Sequence, residues 1–235
     1  MDIHKPKVVQ NLRELAVEIG VIVIGVVIAL GAEQAVDAWR WHEQAEAGEK
    51  ALTENFGRVV NNAYELEAQQ DCIAARLTLL AGIVEKAADS GRLPPVADPG
   101  RPPFSPWRNN VWPTLVAAQL PTHLPRGKAL AYANIATQSD YVADLSDQEL
   151  DQWQTLSTLV GHGRRLSDVE AETLRLTVAR ARFSADKMLS TSRLVLSRIR
   201  TTGLVSQDHY EASAKRAQAL RAHAAICAPM PTPAA

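Results

Sequence analysis

The run IGVIVIGVVIALGA, from Ile19 to Ala32, decides how this sequence is interpreted, because it contains fourteen residues without a single charge. A bilayer core requires about 20 residues of apolar helix, whereas signal-peptide cores and buried soluble helices often have about 10 to 14. Apolar residues on both sides extend this run to 15–38. The sequence therefore predicts a transmembrane helix at 15–38, and a cleaved signal peptide or a buried soluble helix are the alternatives.

The flanks of the run favour a retained anchor. A cleavable signal peptide usually has a short basic start, but this start contains Glu14 and Glu18. Trp39 and Trp41 follow the run at the depth where indole rings favour the membrane interface. Basic residues precede it at Lys5, Lys7 and Arg13. We therefore expect residues 1–14 to be cytoplasmic and juxtamembrane, and residues 39–228 to form a domain on the other side of the lipid bilayer.

Small residues within the span suggest a second role. Gly25 and Ala29 form a small-xxx-small pair, and Ala32 follows about one turn later. Small residues allow two membrane helices to approach closely, so these three positions are a candidate helix-pairing face.

A helical pattern continues beyond the membrane segment. Apolar residues recur at spacings of three and four through Leu52, Phe56, Val59, Leu66, Ile73, Leu77, Leu80 and Val84. This pattern predicts a long stalk helix, with Gly48 and Gly57 as positions for a bend. Ser90 and Gly91 supply the stop signal, and the prolines that follow prevent the helix from resuming.

A Pro-rich segment at 91–113 should form an ordered, extended loop, because prolines at this density exclude a helix. The loop carries four candidate ligand-binding residues, namely Trp107, Arg108, Asn109 and Trp112. Two indoles beside a guanidinium and an amide can hold a flat or anionic group. The commoner use of such aromatic residues is to clamp a long loop onto a helical core, and we expect this here. A ligand cleft and a PxxP polyproline ligand are the alternatives.

The remainder of the chain predicts further helices. Two capping-box sequences occur, SDQE at Ser146 to Glu149 and SDVE at Ser167 to Glu170, and each should begin a helix. These helices should end near 161–163 and at Gly203, and Ser206 should cap a last helix. No segment alternates as a strand. The fold class is therefore all-α, an antiparallel helical bundle behind the stalk with a flexible tail at 229–235.

Charge is balanced over the whole chain but not along it. The formal net charge is −1, which removes the simplest argument for a nucleic-acid partner. Glu33 to Asp98 holds twelve acidic and six basic residues, and Arg164 to Arg221 holds six acidic and twelve basic. One basic helical face carries Arg175, Arg182, Arg193 and Arg200. We expect this face to pair with the acidic stalk, and a basic docking surface for an anionic partner is the alternative.

The two cysteines, Cys72 and Cys227, are far apart in sequence. In an oxidising compartment they predict one disulfide between the stalk and the C-terminus, and the alternative is two buried thiols. No histidine has ligand spacing with either cysteine, and the common catalytic and phosphate-binding motifs are absent from the sequence. The sequence therefore indicates no metal site, no cofactor and no enzyme activity.

These features together resemble an uncharacterised proteobacterial family of single-span membrane proteins with a periplasmic helical domain. The resemblance is carried by VIVIGVVIALGAEQAVDAWRWH, by CIAARL, by the Trp107 to Trp112 region leading to LPTHLP, and by a cysteine near the C-terminus. It implies a single-pass protein of the bacterial inner membrane, with its N-terminus in the cytoplasm. It implies no reaction and no catalytic residue.

Two functions lead among those compatible with these observations, and an enzyme with an acid–base pair assembled from distant helices is the third. The first is a noncatalytic, membrane-anchored interaction or scaffold protein that binds a protein partner or forms a homo-oligomer. The second is a periplasmic domain that senses or binds a ligand through the Trp107–Trp112 loop.

Overall fold

The computed structural model describes residues 12–230 of the chain, with no account of the side chains of residues 12 and 14. The basic residues before position 11 and the end of the expected tail, 231–235, lie outside the described residues. The chain divides into two compact units, Met1–Ala47 and Gly48–Ala235. The first helix, α1, runs over Leu12–Ser90 and therefore contributes to both units.

The first unit consists, in its described part, of an apolar helix whose side chains are exposed. Its most apolar window has a mean hydropathy of 2.6, and none of that window is buried. Ile22, Val27 and Ile28 are each more than 60% exposed. A helix that is apolar on all sides and covered by nothing in the described chain does not fit the buried-helix alternative. It is a candidate membrane anchor by its length and composition.

In the second unit, the same helix supplies one wall of the domain. Its buried positions follow the predicted spacing of three and four, and include Leu52, Phe56, Val59, Val60, Ala63, Ile73, Leu77, Leu80 and Val84. The helix continues through both glycines at which a bend was predicted. Both glycines instead allow close packing, because a Cβ at Gly48 would meet Leu120, and one at Gly57 would lie 3.2 Å from the ring of His209.

The stalk helix ends where the sequence predicted. Gly91 follows Ser90 with φ of +65°, a left-handed conformation that glycine adopts without a steric penalty. Two short strands then depart from the prediction of no strand. β1 (Arg92–Leu93) pairs antiparallel with β2 (Arg164–Arg165), and Val96 bridges to Gly161. Strands of two residues are too short to show an alternating pattern in a sequence.

Four further helices complete the domain. They are α2 (Val111–Ala117), α3 (Arg126–Leu156), α4 (Asp168–Thr202) and α5 (Gln207–Arg221), with 3₁₀ turns at Leu120–His123 and Ser157–Leu159. The all-α fold class is confirmed. Helix α2 begins at Val111, inside the segment predicted as loop. The helix tolerates Pro113 because this residue lies in its first turn, where a missing N–H breaks no helical hydrogen bond.

One predicted helix start is wrong. The sequence SDQE at Ser146 to Glu149 does not begin a helix but lies within α3. The residues ahead of it, from Arg126 onward, are already helical, and both Ser146 and Glu149 are buried. Since the backbone N–H groups of a helix interior are already bonded, the serine hydroxyl has no free N–H group to cap.

Other predicted helix ends are confirmed. The hydroxyl of Ser167 accepts from the N–H of Glu170 at 3.3 Å, and that of Ser206 accepts from the N–H of His209 at 3.3 Å. Gly203 ends α4 with φ of +68°. Ala217 is buried, but Leu220 is 38% exposed.

Two apolar clusters hold the second unit together. The first joins α1 to α3 and α4 around Phe56, Tyr132 and Ile199, and it includes Trp107 from the Pro-rich loop. The second lies nearer the end of α1 and includes Leu80, Trp153 and Leu174. The Pro-rich loop contributes Trp107 to the first cluster and Val96 to the second, and it covers polar side chains of α1 and α3 that form the candidate site.

Candidate functional site

The basic face of α4 pairs with the acidic stalk. Arg175 Nη2 lies 2.6 Å from Glu85 Oε2, and Arg193 Nη2 lies 2.7 Å from Glu67 Oε1. The hydrogen bond from Arg175 lowers the pKa of the Glu85 carboxyl below its ordinary value. The other two arginines donate to Thr78 Oγ1 at 3.4 Å and to Tyr64 Oη at 2.8 Å. All four predicted arginines therefore face α1, as expected for a structural pairing.

The four residues predicted to bind a ligand do not line one pocket. Trp107 and Asn109 are buried, with exposed fractions of 2% and 1%. Arg108 is exposed and pairs with Asp144 and Asp147 at 3.1 and 3.0 Å. Trp112 is partly buried and packs edge-on against Tyr132, with ring centroids 6.2 Å apart.

Asn109 has a clear local role. Its Oδ1 accepts from the backbone N–H groups of Val111 and Trp112, each at 3.1 Å, and so satisfies the start of α2. Its own backbone N–H donates to Asp140 Oδ1 at 3.0 Å. The aromatic and polar residues of this segment thus fasten the loop to the helices, as the sequence predicted for the aromatic residues.

Two side chains of α1 hold the Pro-rich loop in place. Asn62 Nδ2 donates to the carbonyl of Pro106 at 2.8 Å. Arg76, which is 5% exposed, donates to the carbonyls of Pro99 at 2.6 Å and Ala228 at 2.5 Å. A Cβ at Gly100 would lie 2.6 Å from the Arg76 guanidinium, so only glycine leaves room for it. Arg76 therefore joins the stalk, the loop and the C-terminal segment.

Cys72 and Cys227 lie beside this junction at disulfide distance. Their sulfur atoms are 2.03 Å apart and their Cα atoms 4.8 Å apart, across 155 residues of sequence. Cys72 precedes Arg76 by about one turn of α1, and Cys227 precedes Ala228, whose carbonyl Arg76 binds. The disulfide and Arg76 thus both fix the C-terminal segment to α1.

Beneath the loop lie two small cavities, each of about 20 Å³. They share Pro102, Pro103, Ser146 and Glu149 as lining residues. The polar groups of the first cavity also include Asn62, Glu65, Gln69 and Ser105, and Trp107 lines its apolar side. The second is completed by Arg101, Phe104, Leu150 and Trp153. Each cavity has room for about one water-sized occupant.

Glu149 is the most unusual group at these cavities. It is 5% exposed, and its Oε1 has no hydrogen-bond partner in the described chain. Burial raises the pKa of its carboxyl to about 7, because a charged carboxylate loses its solvation there. Gln69 is 1% exposed, and neither its Oε1 nor its Nε2 has a partner among the described residues. Buried polar atoms without a protein partner usually bind water or an ion.

Sequence reasoning missed this cluster for identifiable reasons. Glu149 was interpreted as part of a capping box, and Glu65 and Gln69 belong to no recognisable motif in the sequence. One signal was available in the sequence. Glu149 lies four residues before Trp153 and seven before Leu156, so the apolar spacing places it on the buried face of its helix.

Two larger clefts lie open at the surface of the domain. One of about 400 Å³ is lined by residues of α3 and α4, including Asp151 and Arg180. The other, about 510 Å³, includes Glu54, Arg58 and His209. His209 Nε2 lies 2.9 Å from the carbonyl of Gly57, so its ring is already engaged in packing. Over residues 12–230, no group of three or more histidine, cysteine or acidic side chains is arranged to hold a metal ion.

Comparison with known proteins adds no family to this description. No family model matches the sequence, and no curated protein or solved structure gives a match.

Proposed function

We propose that this chain is a membrane-anchored, noncatalytic interaction protein of the bacterial envelope. Its apolar N-terminal helix would cross the inner membrane once, with the N-terminus in the cytoplasm and the helical domain in the periplasm. The exposed apolar helix and the basic residues ahead of it support the anchor and its orientation. The paired cysteines suit an oxidising compartment.

The observation that carries the proposal is a row of exposed apolar side chains on α4. Val169, Leu176, Phe183 and Leu194 are 79%, 48%, 59% and 45% exposed. Their spacings of seven, seven and eleven residues return to one side of an α-helix. That side faces away from the buried residues of the same helix, such as Leu174 and Val178. Apolar side chains aligned in this way are typical of a surface that binds a partner.

Charges beside this row indicate the chemistry of the partner. Arg180 and Lys187 are exposed beside the part of the row from Leu176 to Leu194, and the Lys187 ammonium lies 5.7 Å from the centre of the Phe183 ring. Glu172 is exposed beside the start of the row, where it lies 3.7 Å from Arg175. An amphipathic helix with an apolar stripe and acidic flanks would be complementary to this face. The α4 surface therefore favours an acidic helical partner, and a second copy of the chain is the alternative outcome.

Site-specific photo-crosslinking in cells tests this proposal. The full chain carries a photoreactive residue at position 176 or 183, and a matched control carries it at Leu130, an exposed leucine of α3 that is 55% exposed. We expect a discrete adduct from both α4 positions and none from Leu130. Adducts of equal yield from all three positions, or none from α4, would contradict the proposal.

A second candidate function is the sensing of a small solute beneath the Pro-rich loop. The buried side chains of Glu149 and Gln69, which lack a protein partner, favour it. Each cavity of about 20 Å³ excludes a flat organic ligand of the kind that Trp107 and Trp112 were considered to hold. Sensing at this position would therefore involve an ion, a proton or water.

A further inference from the structure

The cavity between α1, α3 and the Pro-rich loop is lined by oxygen-bearing side chains from separate elements. Glu65 and Gln69 come from consecutive turns of α1, and Glu149 comes from α3. The hydroxyls of Ser105 and Ser146 and the side chain of Asn62 line the same space. Oxygen atoms of carboxylates, amides and hydroxyls are the ligands that hard cations prefer.

The charges around the cavity also favour a cation. Two carboxyl groups, Glu65 and Glu149, line it, and no basic side chain among residues 12–230 does. Arg101 lines only the neighbouring cavity, and α4 contributes the uncharged Met188 to the first. Neither Glu149 Oε1 nor Gln69 Oε1 has a hydrogen bond within the described chain. A cation would satisfy both oxygens and offset the cost of charging a buried carboxylate.

The size of the cavity, its coordination geometry and its two carboxylates together indicate which cation would bind. A volume of about 20 Å³ accepts one ion without a full shell of water. Mg²⁺ demands near-octahedral geometry and usually retains several waters, whereas Ca²⁺ tolerates irregular coordination by six to eight oxygens. Two carboxylates match the charge of a divalent ion better than that of Na⁺ or K⁺.

We propose that Glu149, Glu65 and Gln69 form a calcium site beneath the Pro-rich loop. The inference deepens the second candidate function by naming the class of its ligand, and it is independent of the α4 docking surface. With two carboxylates and neutral oxygens, the site belongs with the weaker calcium sites, for which Kd is on the order of 0.1 to 1 mM.

A proton competes with the cation for Glu149. The carboxyl of Glu149 must release its proton to bind Ca²⁺, and its raised pKa makes this release incomplete near neutral pH. Calcium affinity should therefore increase as the pH rises from 6 to 8. Well below the pKa of the carboxyl, each unit of pH should weaken binding about tenfold.

The test uses the full chain in detergent micelles, stripped of metal with a chelator, and titrated with CaCl₂ at pH 8 and pH 6. Trp107 and Trp153 line the two cavities, so tryptophan fluorescence reports directly on the site. Thermal unfolding provides a second readout, because a ligand that binds only the folded state raises Tm. We expect a saturable fluorescence change with a rise in Tm of a few degrees at pH 8, and a weaker response at pH 6.

Three variants and a parallel titration with MgCl₂ complete the experiment. Glu149→Gln should abolish the response, and Glu65→Gln, at a half-buried position, should weaken it several-fold without loss of the fold. Asp151→Asn is the matched control, an exposed carboxylate of α3 that should leave the response unchanged.

No response of the wild type to Ca²⁺ would overturn the proposal and indicate that the cavity holds water only. A response that persists in Glu149→Gln, or one that MgCl₂ reproduces in full, would overturn it in favour of binding at the surface. If pH alone changes the fluorescence and Ca²⁺ does not, the second candidate function would survive as proton sensing, without the calcium site.

Discussion

The sequence Ser-Asp-x-Glu occurs twice in this chain, and its two copies differ in position and environment. Ser167 to Glu170 opens α4, whereas Ser146 to Glu149 lies well inside α3. The segment before Ser167 contains Gly161 and short extended pieces, so the backbone there is not helical. The segment before Ser146 is already helical. A capping sequence therefore begins a helix only where the preceding chain has left backbone N–H groups unbonded.

The two glutamates show the same contrast in their electrostatics. Glu170 is near the surface and accepts from Arg164 at 2.5 Å, and this hydrogen bond lowers the pKa of its carboxyl. Glu149 is buried without a cationic partner, and burial raises the pKa of its carboxyl to about 7. Two glutamates in closely similar local sequences thus acquire opposite pKa shifts, because the tertiary structure decides which carboxyl loses its contact with water.

The largest expected effect comes from removing the disulfide between Cys72 and Cys227, which helps to hold the Pro-rich loop over Glu149. The variant Cys72→Ala with Cys227→Ala should lower the free energy of unfolding by about 2–5 kcal/mol, since the bridge closes a long segment of chain. Urea unfolding measures the change, and reductant should affect the wild type only. We also expect the pKa of Glu149 to move towards its ordinary value while that of Glu170 stays unchanged. Equal stability with and without the bridge would contradict this prediction.

A somewhat smaller effect should distinguish Glu149 from Glu170 in the pH dependence of the free energy of unfolding. The free energy of unfolding should fall by about 3 kcal/mol as the pH rises from 4.5 to about 7, through Glu149 alone. Over this range the unfolded chain has released the proton that the folded chain retains. Denaturant unfolding at several pH values should show this slope in the wild type and a flatter one in Glu149→Gln.

Glu170→Gln serves as the matched control for that measurement. The pKa of Glu170 is lowered, so the stability it contributes is present at neutral pH and is lost in acid, the reverse of Glu149. The variant should therefore retain the slope between pH 4.5 and 7. A slope that disappears equally in both variants would assign the effect to another group.

The smallest expected effect distinguishes the two serines. Ser167→Ala removes a cap and should cost about 1 kcal/mol, because the N–H of Glu170 loses its acceptor. Ser146→Ala removes no cap and should leave the start of α3 unchanged. Thermal unfolding of both variants beside the wild type measures the difference, and Ser167→Gly, a residue tolerated at this position, should recover most of the loss.

Much of the fold follows from local patterns in the sequence. The stalk helix and its end at Gly91, the caps at Ser167 and Ser206, and the end of α4 at Gly203 each depend on a few neighbouring residues. The pairing of α4 with α1 was also predictable, since a helical face with four arginines favours the acidic stalk, and two of the four bind Glu67 and Glu85 there. At the helix ends, the signal and its physical cause lie within a few turns of each other.

The candidate site was not predictable in the same way. Glu65, Gln69 and Glu149 are separated by up to 84 residues and share no motif. Their proximity depends on the packing of α3 against α1 and on the path of the Pro-rich loop. The indoles and Asn109 attracted attention because they are clustered in sequence, yet the structure uses them to fasten that loop.

The bridge between Cys72 and Cys227 has a consequence for proteolysis. A protease that cuts the loop at an exposed residue such as Arg101 divides the backbone within the bridged segment. The N-terminal fragment carries the apolar helix, but both fragments stay joined through sulfur. Release of the C-terminal fragment into solution would then require two events, a cut and a reduction, so nicked protein should migrate as one species on a gel until a thiol is added.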